Sequence, residues 1–145
     1  SLYEEFEKSS SKADYSKIEK YILEEFGLDA LNGSVTDDRI IAAMNYIRKN
    51  SNSDMTCKEV ADAVFLSEGR FSHLFREQVG MTFAAFLIYQ RILNVYANVI
   101  RGKTVTEAAI EAGFSSSTHF ADVNRRVFGI SISNISRDLN YIKVK

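Results

Sequence analysis

The chain has 145 residues, 46% hydrophobic and 26% charged, with a formal net charge of −1 at pH 7. That is the composition of an ordinary globular protein with material for one or two small cores, and it shows neither an apolar run long enough to span a bilayer nor a signal-peptide pattern. Cys57 is the one cysteine and there are two well-separated histidines, which excludes an internal disulfide, leaves no zinc-site spacing and makes a reducing cytosol the expected home.

Residues 1–36 carry 4 Lys+Arg against 8 Asp+Glu, whereas residues 37–145 carry 14 against 11. The opening Ser1, in place of a Met, suggests a piece of a longer protein. Tyr15, Ile18, Ile22 and Phe26 recur at helical spacing and predict an amphipathic helix over residues 14–26, ended by Gly27. Asn32-Gly33-Ser34 reads as a loop. The sequence leaves four roles open for this acidic extension: a dimerisation element, an interdomain linker, the last helix of an effector domain, or a surface helix on the same domain.

From residue 37 the pattern changes. Thr36 or Asp37 can cap a helix whose buried stripe is Ile40, Ile41, Met44 and Ile47 and which ends near Asn50, before a turn at SNSD. A short helix over 57–64 then buries Val60, Ala61 and Val64, with Cys57 filling an apolar position. The next helix, 68–79, buries Phe71, Leu74, Phe75 and Val79, turns Gly69, His73 and Arg76 to the opposite face, and stops at Gly80. A long helix runs from Thr82 to about Ile100 on Phe83, Phe86, Leu87, Leu93, Tyr96 and Ile100. With no proline in the chain, nothing argues for a kink in it. Beyond Arg101-Gly102-Lys103 the apolar positions are Ala108, Ala109, Phe120, Val123 and Val127, and a last short helix is predicted over 132–140. Eight helices and no convincing strand make the fold all-α.

The region contains a repeat. Residues 56–80, TCKEVADAVFLSEGRFSHLFREQVG, and 104–129, TVTEAAIEAGFSSSTHFADVNRRVFG, share one plan of opening Thr, Ala-rich helix, tight turn, and a second helix bearing Phe and basic residues up to a Gly. Val60-Ala61 match Ala108-Ala109 at an offset of 48. Phe71, Arg76 and Gly80 match Phe120, Arg125 and Gly129 at 49, so the second copy has one extra residue in its turn. A short helix, a turn and a second helix of this size form a helix-turn-helix, whose second helix suits a DNA major groove. The modest excess of positive charge in residues 37–145 adds only weak support.

The helix ending YIRKN, the run LSEGRFSHLFREQVGMTF, Arg91-Ile92, and AAIEAGFSSSTHF with the following VFGIS resemble the DNA-binding domain of the AraC/XylS family of bacterial transcription regulators over roughly residues 37–137. The resemblance implies two helix-turn-helix subdomains with homeodomain-like bundles, a first unit 37–81 and a second 102–140, joined by a rigid connecting helix 82–101. It also implies that the two recognition helices enter successive major grooves, roughly 34 Å apart. A helix of about 19 residues is roughly 28 Å long and can set most of that separation. The sequence departs from the family pattern at four places. Phe65 stands where a turn Gly is usual, so a positive φ there would be costly and the turn distorted. Asp122 replaces an Arg on the DNA face, Asn124 replaces a core Phe, and Ile132 stands where a Pro commonly follows the last Gly.

On this reading the DNA-binding residues are Gly69, Arg70, His73 and Arg76 in the first unit and Ser117, Thr118, Asp122, Arg125 and Arg126 in the second. His73 donates to a base edge or phosphate, and Arg76, Arg125 and Arg126 serve phosphates, giving affinity without sequence information. Gly69 permits close approach to a thymine methyl or the backbone. Arg70 is either a DNA contact or a solvated charge. Asp122 has the wrong sign for phosphate but can accept from a cytosine amine. Asn124 lies in core phase, where an amide must find partners, or else marks a rotated helix. There is no Gly-rich phosphate loop, no metal constellation and no nucleophile beside a base, so no enzyme, cofactor or metal is expected. The expected partners are double-stranded DNA and RNA polymerase, recruited or hindered, with a homodimer possible through residues outside or at the N-terminal extension and no membrane. The competing reading is a degenerate helical protein-interaction module that does not read DNA.

Overall fold

The computed structural model describes residues 35–128, and the helices predicted over 14–26 and 132–140 lie outside them. Among the described residues there are six helices and no strand: α1 Asp38–Asn50, α2 Cys57–Ala63, α3 Glu68–Val79, α4 Phe83–Ile100, α5 Val105–Glu111 and α6 Ser117–Phe128. They divide into two compact units, the first ending at Arg91 and the second beginning at Ile92. Helix α4 is continuous, with its first half in one unit and its second half in the other.

In the first unit each helix starts where a side chain can satisfy free N–H groups. Asp37 accepts from the Arg39 N–H at 2.9 Å and is also paired with the Arg39 guanidinium. That hydrogen-bonded pairing lowers the Asp37 pKa and raises that of Arg39. Thr56 and Glu59 cap α2 reciprocally, the Thr56 hydroxyl accepting from the Glu59 N–H at 3.2 Å. Ser67 accepts from the Arg70 N–H at 3.3 Å at the start of α3. Gly80 closes α3 in the left-handed region at φ 86°, a conformation that costs glycine little.

The core between these helices is aromatic. Phe71, Phe75, Phe83 and Phe86 meet edge-on or tilted at centroid separations of 5.5–6.4 Å, with Ile40, Ile47, Val60 and Ala61 fully buried around them. Two long-range polar ties fix the periphery. The Gln78 side-chain carbonyl accepts from the backbone N–H groups of Thr36 and Asp37, at 2.9 and 3.1 Å. The Arg91 guanidinium donates to the Ser51 and Ser53 carbonyls, at 2.7 and 2.9 Å, and so anchors the SNSD turn. Three positions differ from the predicted stripes. Ile41 is 40% exposed, Leu74 is half-buried, and Cys57 is half-buried rather than core, its Sγ lying 3.2 Å from the Ser72 Oγ. Ile41 and Leu74 each directly precede or follow a stripe residue, so they sit on the shoulder of the buried face.

The second unit repeats the plan. Thr104 accepts from the Glu107 N–H at 3.2 Å and Ser116 from the His119 N–H at 3.0 Å, so the caps recur with the repeat. Phe120 packs edge-on against Tyr96 and Phe114, and Ala108, Ala109 and Val123 are buried with it. Val127 is 48% exposed, not core as predicted. Asn124 is fully buried and accepts a hydrogen bond from the Tyr96 hydroxyl, which answers the question its core phase raised without any rotation of the helix.

Helix α4 buries far more than the predicted stripe, adding Tyr89, Gln90, Ile92, Val95 and Ala97. By length and composition alone it could cross a membrane, which the sequence reading had not found. More than half of it is buried inside the protein and Arg91 lies at its middle, so it is a core helix.

Candidate nucleic-acid interface

Helix α3 divides cleanly. Phe71, Phe75 and Val79 face the core, while Gly69, Arg70, His73 and Arg76 are all exposed. His73 is 86% exposed, with Nε2 3.8 Å from the Glu77 carboxylate one turn on. That is a weak surface contact, easily exchanged for another partner. The added Cβ of an alanine at Gly69 would meet nothing within 4 Å, so nothing in the protein requires glycine there.

A shallow notch of about 520 Å³ opens between α2, α3 and the start of α4. Cys57, Gly69, Ser72, His73, Arg76 and Thr82 line it, so three of the predicted contact residues share one concavity. Ser72 is a polar, exposed member of this face that the sequence reading passed over. Its position three residues after Gly69 and next to His73 was the available signal. Its hydroxyl is within hydrogen-bond distance of the Cys57 thiol, which is why Cys57 sits at the rim of this face and not in the core.

In the second unit Thr118, Asp122, Arg125 and Arg126 are exposed and Ser117 is half-buried. The internal offset of 49 puts Thr118 level with Gly69, Asp122 with His73, and Arg125 with Arg76. The sequence-predicted residues thus fall on the outer face of the second helix in each unit. His119 is also exposed there, its Nδ1 3.2 Å from the Ser115 Oγ and its ring against Phe114.

The turns that aim these helices open with the same pair of hydrogen bonds, the second being one residue longer before its cap. In the first, the N–H of Phe65 donates to the Asp62 carbonyl at 3.1 Å and that of Leu66 to the Ala61 carbonyl at 2.9 Å. In the second, Gly113 donates to Ile110 at 3.1 Å and Phe114 to Ala109 at 3.0 Å. Phe65 has φ 62° and Gly113 φ 104°. Phe65 does take the positive φ, but the expected distortion is not seen: the turn keeps the same two bonds as its glycine counterpart.

Residues 60–138, more than half of the chain, match the family model described as a helix-turn-helix domain. The chain is 30% identical over 89 residues to the probable transcriptional regulator LumQ of Photobacterium leiognathi, and 26% identical over 105 residues to the regulatory protein PocR of Salmonella typhimurium. Those alignments take in 60% and 72% of this chain but only 36% and 35% of the relatives, so the chain spans about a third of their length. Among solved structures, the xylose-binding transcription activator XylR aligns at 25% identity with a TM-score of 0.65, over 73% of this chain and 28% of that one. The DNA-binding domain of AdpA, solved with a target DNA, shares the fold at 20% identity with a TM-score of 0.62, over 75% of this chain and 99% of that one. The repeat, its caps and turns, and these matches agree: the chain belongs to the AraC/XylS helix-turn-helix family of transcription regulators.

Proposed function

We propose that the chain is the DNA-reading part of a bacterial, cytoplasmic transcription regulator, binding double-stranded DNA with sequence preference through α3 and α6. The observation that carries this is the outer face of α3, where Gly69, Arg70, His73 and Arg76 lie exposed opposite the buried phenylalanines. Each recognition helix enters a major groove. In the first unit His73 reads a base edge, Arg76 holds phosphate, Arg70 supports it near the helix start, and Gly69 lets the DNA come close. In the second, Arg125 and Arg126 clamp phosphates while Ser117, Thr118 and Asp122 face the bases. Residues 37–145 form the reading domain and residues 1–36 an acidic extension through which two copies could pair. The bound protein recruits or hinders RNA polymerase, and it works by binding, with no chemistry of its own.

Binding measured against salt on a footprinted site tests the reading. A groove binder that neutralises several phosphates loses affinity along a steep line of log K against log salt, with a slope of about −0.9 per phosphate. A flat line would instead favour the interaction-module reading, for which Asp122 on the recognition face is the best argument.

A further inference from the structure

Both histidines of the chain lie on the second helix of a unit, His73 on α3 and His119 on α6, and both are exposed. Imidazole is the side chain whose charge ordinarily changes between about pH 5 and 8. Leaving the imidazoles aside, α3 is electrically neutral, because Glu68 and Glu77 balance Arg70 and Arg76. Helix α6 keeps one net positive charge, from Arg125 and Arg126 against Asp122. Protonating both rings therefore raises the combined charge of the two helices from +1 to +3. The repeat sharpens the point. At the offset of 49, His73 and Glu77 stand level with Asp122 and Arg126, so each helix carries an acid and a base one turn apart. In the second unit that base is an arginine, charged at every pH, and in the first it is an imidazole.

The groups around each ring are few. His73 Nε2 lies 3.8 Å from the Glu77 carboxylate. Both nitrogens of a charged imidazole donate, so one proton both offsets Glu77 and adds a donor to the face. Glu68 and Arg76 share the notch with His73, α2 adds the Cys57 thiol and α4 the uncharged Thr82, and no charged residue of α1 lines it. His119 has Nδ1 3.2 Å from the Ser115 Oγ and its ring edge-on to Phe114. Asp122 follows it by three residues on α6. Helix α5 carries Glu107 in its first turn and Glu111, paired with Lys103, and α4 brings the buried Tyr96 phenol. A duplex would bring a far denser row of negative charge to either ring than these single carboxylates do. We infer that DNA binding by this chain is proton-linked, tightening between about pH 8 and pH 5.5 as His73 and His119 take up protons beside phosphate; this rests on the DNA-binding reading above. The sign follows from linkage: a complex that favours the charged rings binds more protons than the free chain, so acid strengthens it.

The test uses the 145-residue chain and a DNA fragment carrying its footprint, with affinity measured at about pH 8 and pH 5.5 at fixed ionic strength. The wild type should bind at least about tenfold tighter at the lower pH, since an interaction worth one pKa unit gives up to about tenfold for each ring. Its slope of log K against log salt should steepen by about one to two units, roughly one for each proton taken up. His73→Gln and His119→Gln should each keep only part of the gain, and the double variant less than about twofold, with the wild type's helical circular dichroism at both pH values. His73→Arg should lose the pH response of that position while showing at pH 8 the steeper salt slope that the wild type reaches only in acid. Sequence-dependent binding that changes less than about twofold between the two pH values overturns the inference. So does a gain that survives in the folded double variant, or a His73→Arg chain whose pH response equals the wild type's. Absence of sequence-dependent binding at both pH values defeats the DNA-binding reading first, and this inference with it.

Discussion

At the scale of single residues, Tyr96 and Asn124 show how far a sequence can be read. The core phase of Asn124 was visible in its position four residues after Phe120. Its partner was not, since Tyr96 lies 28 residues away and periodicity carries no information about which side chains meet. Removing the hydroxyl with Tyr96→Phe should cost about 1–3 kcal/mol by withdrawing a donor from a buried amide, and Tyr96→Phe with Asn124→Leu should cost less than the two changes summed. Burial raises the Tyr96 phenol well above its ordinary value, while the bond to Asn124 acts the other way. A phenol that keeps its proton when folded but loses it when unfolded leaves stability intact below about pH 10 and erodes it above, by roughly 1.4 kcal/mol per pH unit. Urea unfolding between pH 9 and 11 should show that slope in the wild type and a shallower one in Tyr96→Phe. Gly69 gives a second prediction of mixed sign. With open space at its Cβ, Gly69→Ala should raise stability by about 0.5–1 kcal/mol. If the duplex approaches this backbone, the same methyl should weaken DNA binding, and equal or better affinity would remove Gly69 from the interface.

Helices were legible where start and stop signals framed them. Thr56, Ser67, Thr104 and Ser116 each accept a backbone N–H bond at the start of a helix, although the sequence marked Thr56 and Thr104 only as openings of the repeat. Deleting these caps should have matched effects in the two units: Thr56→Ala and Thr104→Ala should each lose about 1 kcal/mol in thermal or urea unfolding. The reciprocal bond of the first unit, from the residue 56 N–H to the Glu59 carboxylate, survives Thr56→Ala, so the two losses should match. The misreadings have a common cause. Ile41, Leu74 and Val127 are apolar residues at the edges or ends of a stripe, where hydrophobicity alone does not say whether a neighbouring element covers them. Helix α4 hid its burial in the opposite way, being apolar on nearly every side, so that no single face stood out. The outer face of α3 was readable as a face, yet Ser72 escaped because its tie to Cys57 joins two helices.

For the whole molecule, the repeat predicts similarity and the residues on its faces predict a division of labour. Arg76 and Arg125 occupy equivalent exposed places, and each is assigned to phosphate. Arg76→Ala and Arg125→Ala should therefore weaken binding to all sequences alike and flatten the salt slope by about one unit each. The bases are a different matter. The first unit offers His73 beside Gly69 in a concave face, whereas the second puts Asp122 level with His73, and a carboxylate repels the backbone it must pass. Most sequence information should then be read by the first unit, with the second acting chiefly as a phosphate anchor through Arg125 and Arg126. His73→Ala should lose roughly 1–3 kcal/mol of discrimination at one or two base pairs in one half of the site. Asp122→Arg should raise affinity for any DNA. If Asp122 instead accepts from a cytosine amine, that substitution will also erase the preference for the base while general affinity rises. Binding to the intact site and to versions scrambled in either half decides between these. Scrambling the first unit's half should cost far more, and equal losses from the two halves would show that both recognition helices read bases.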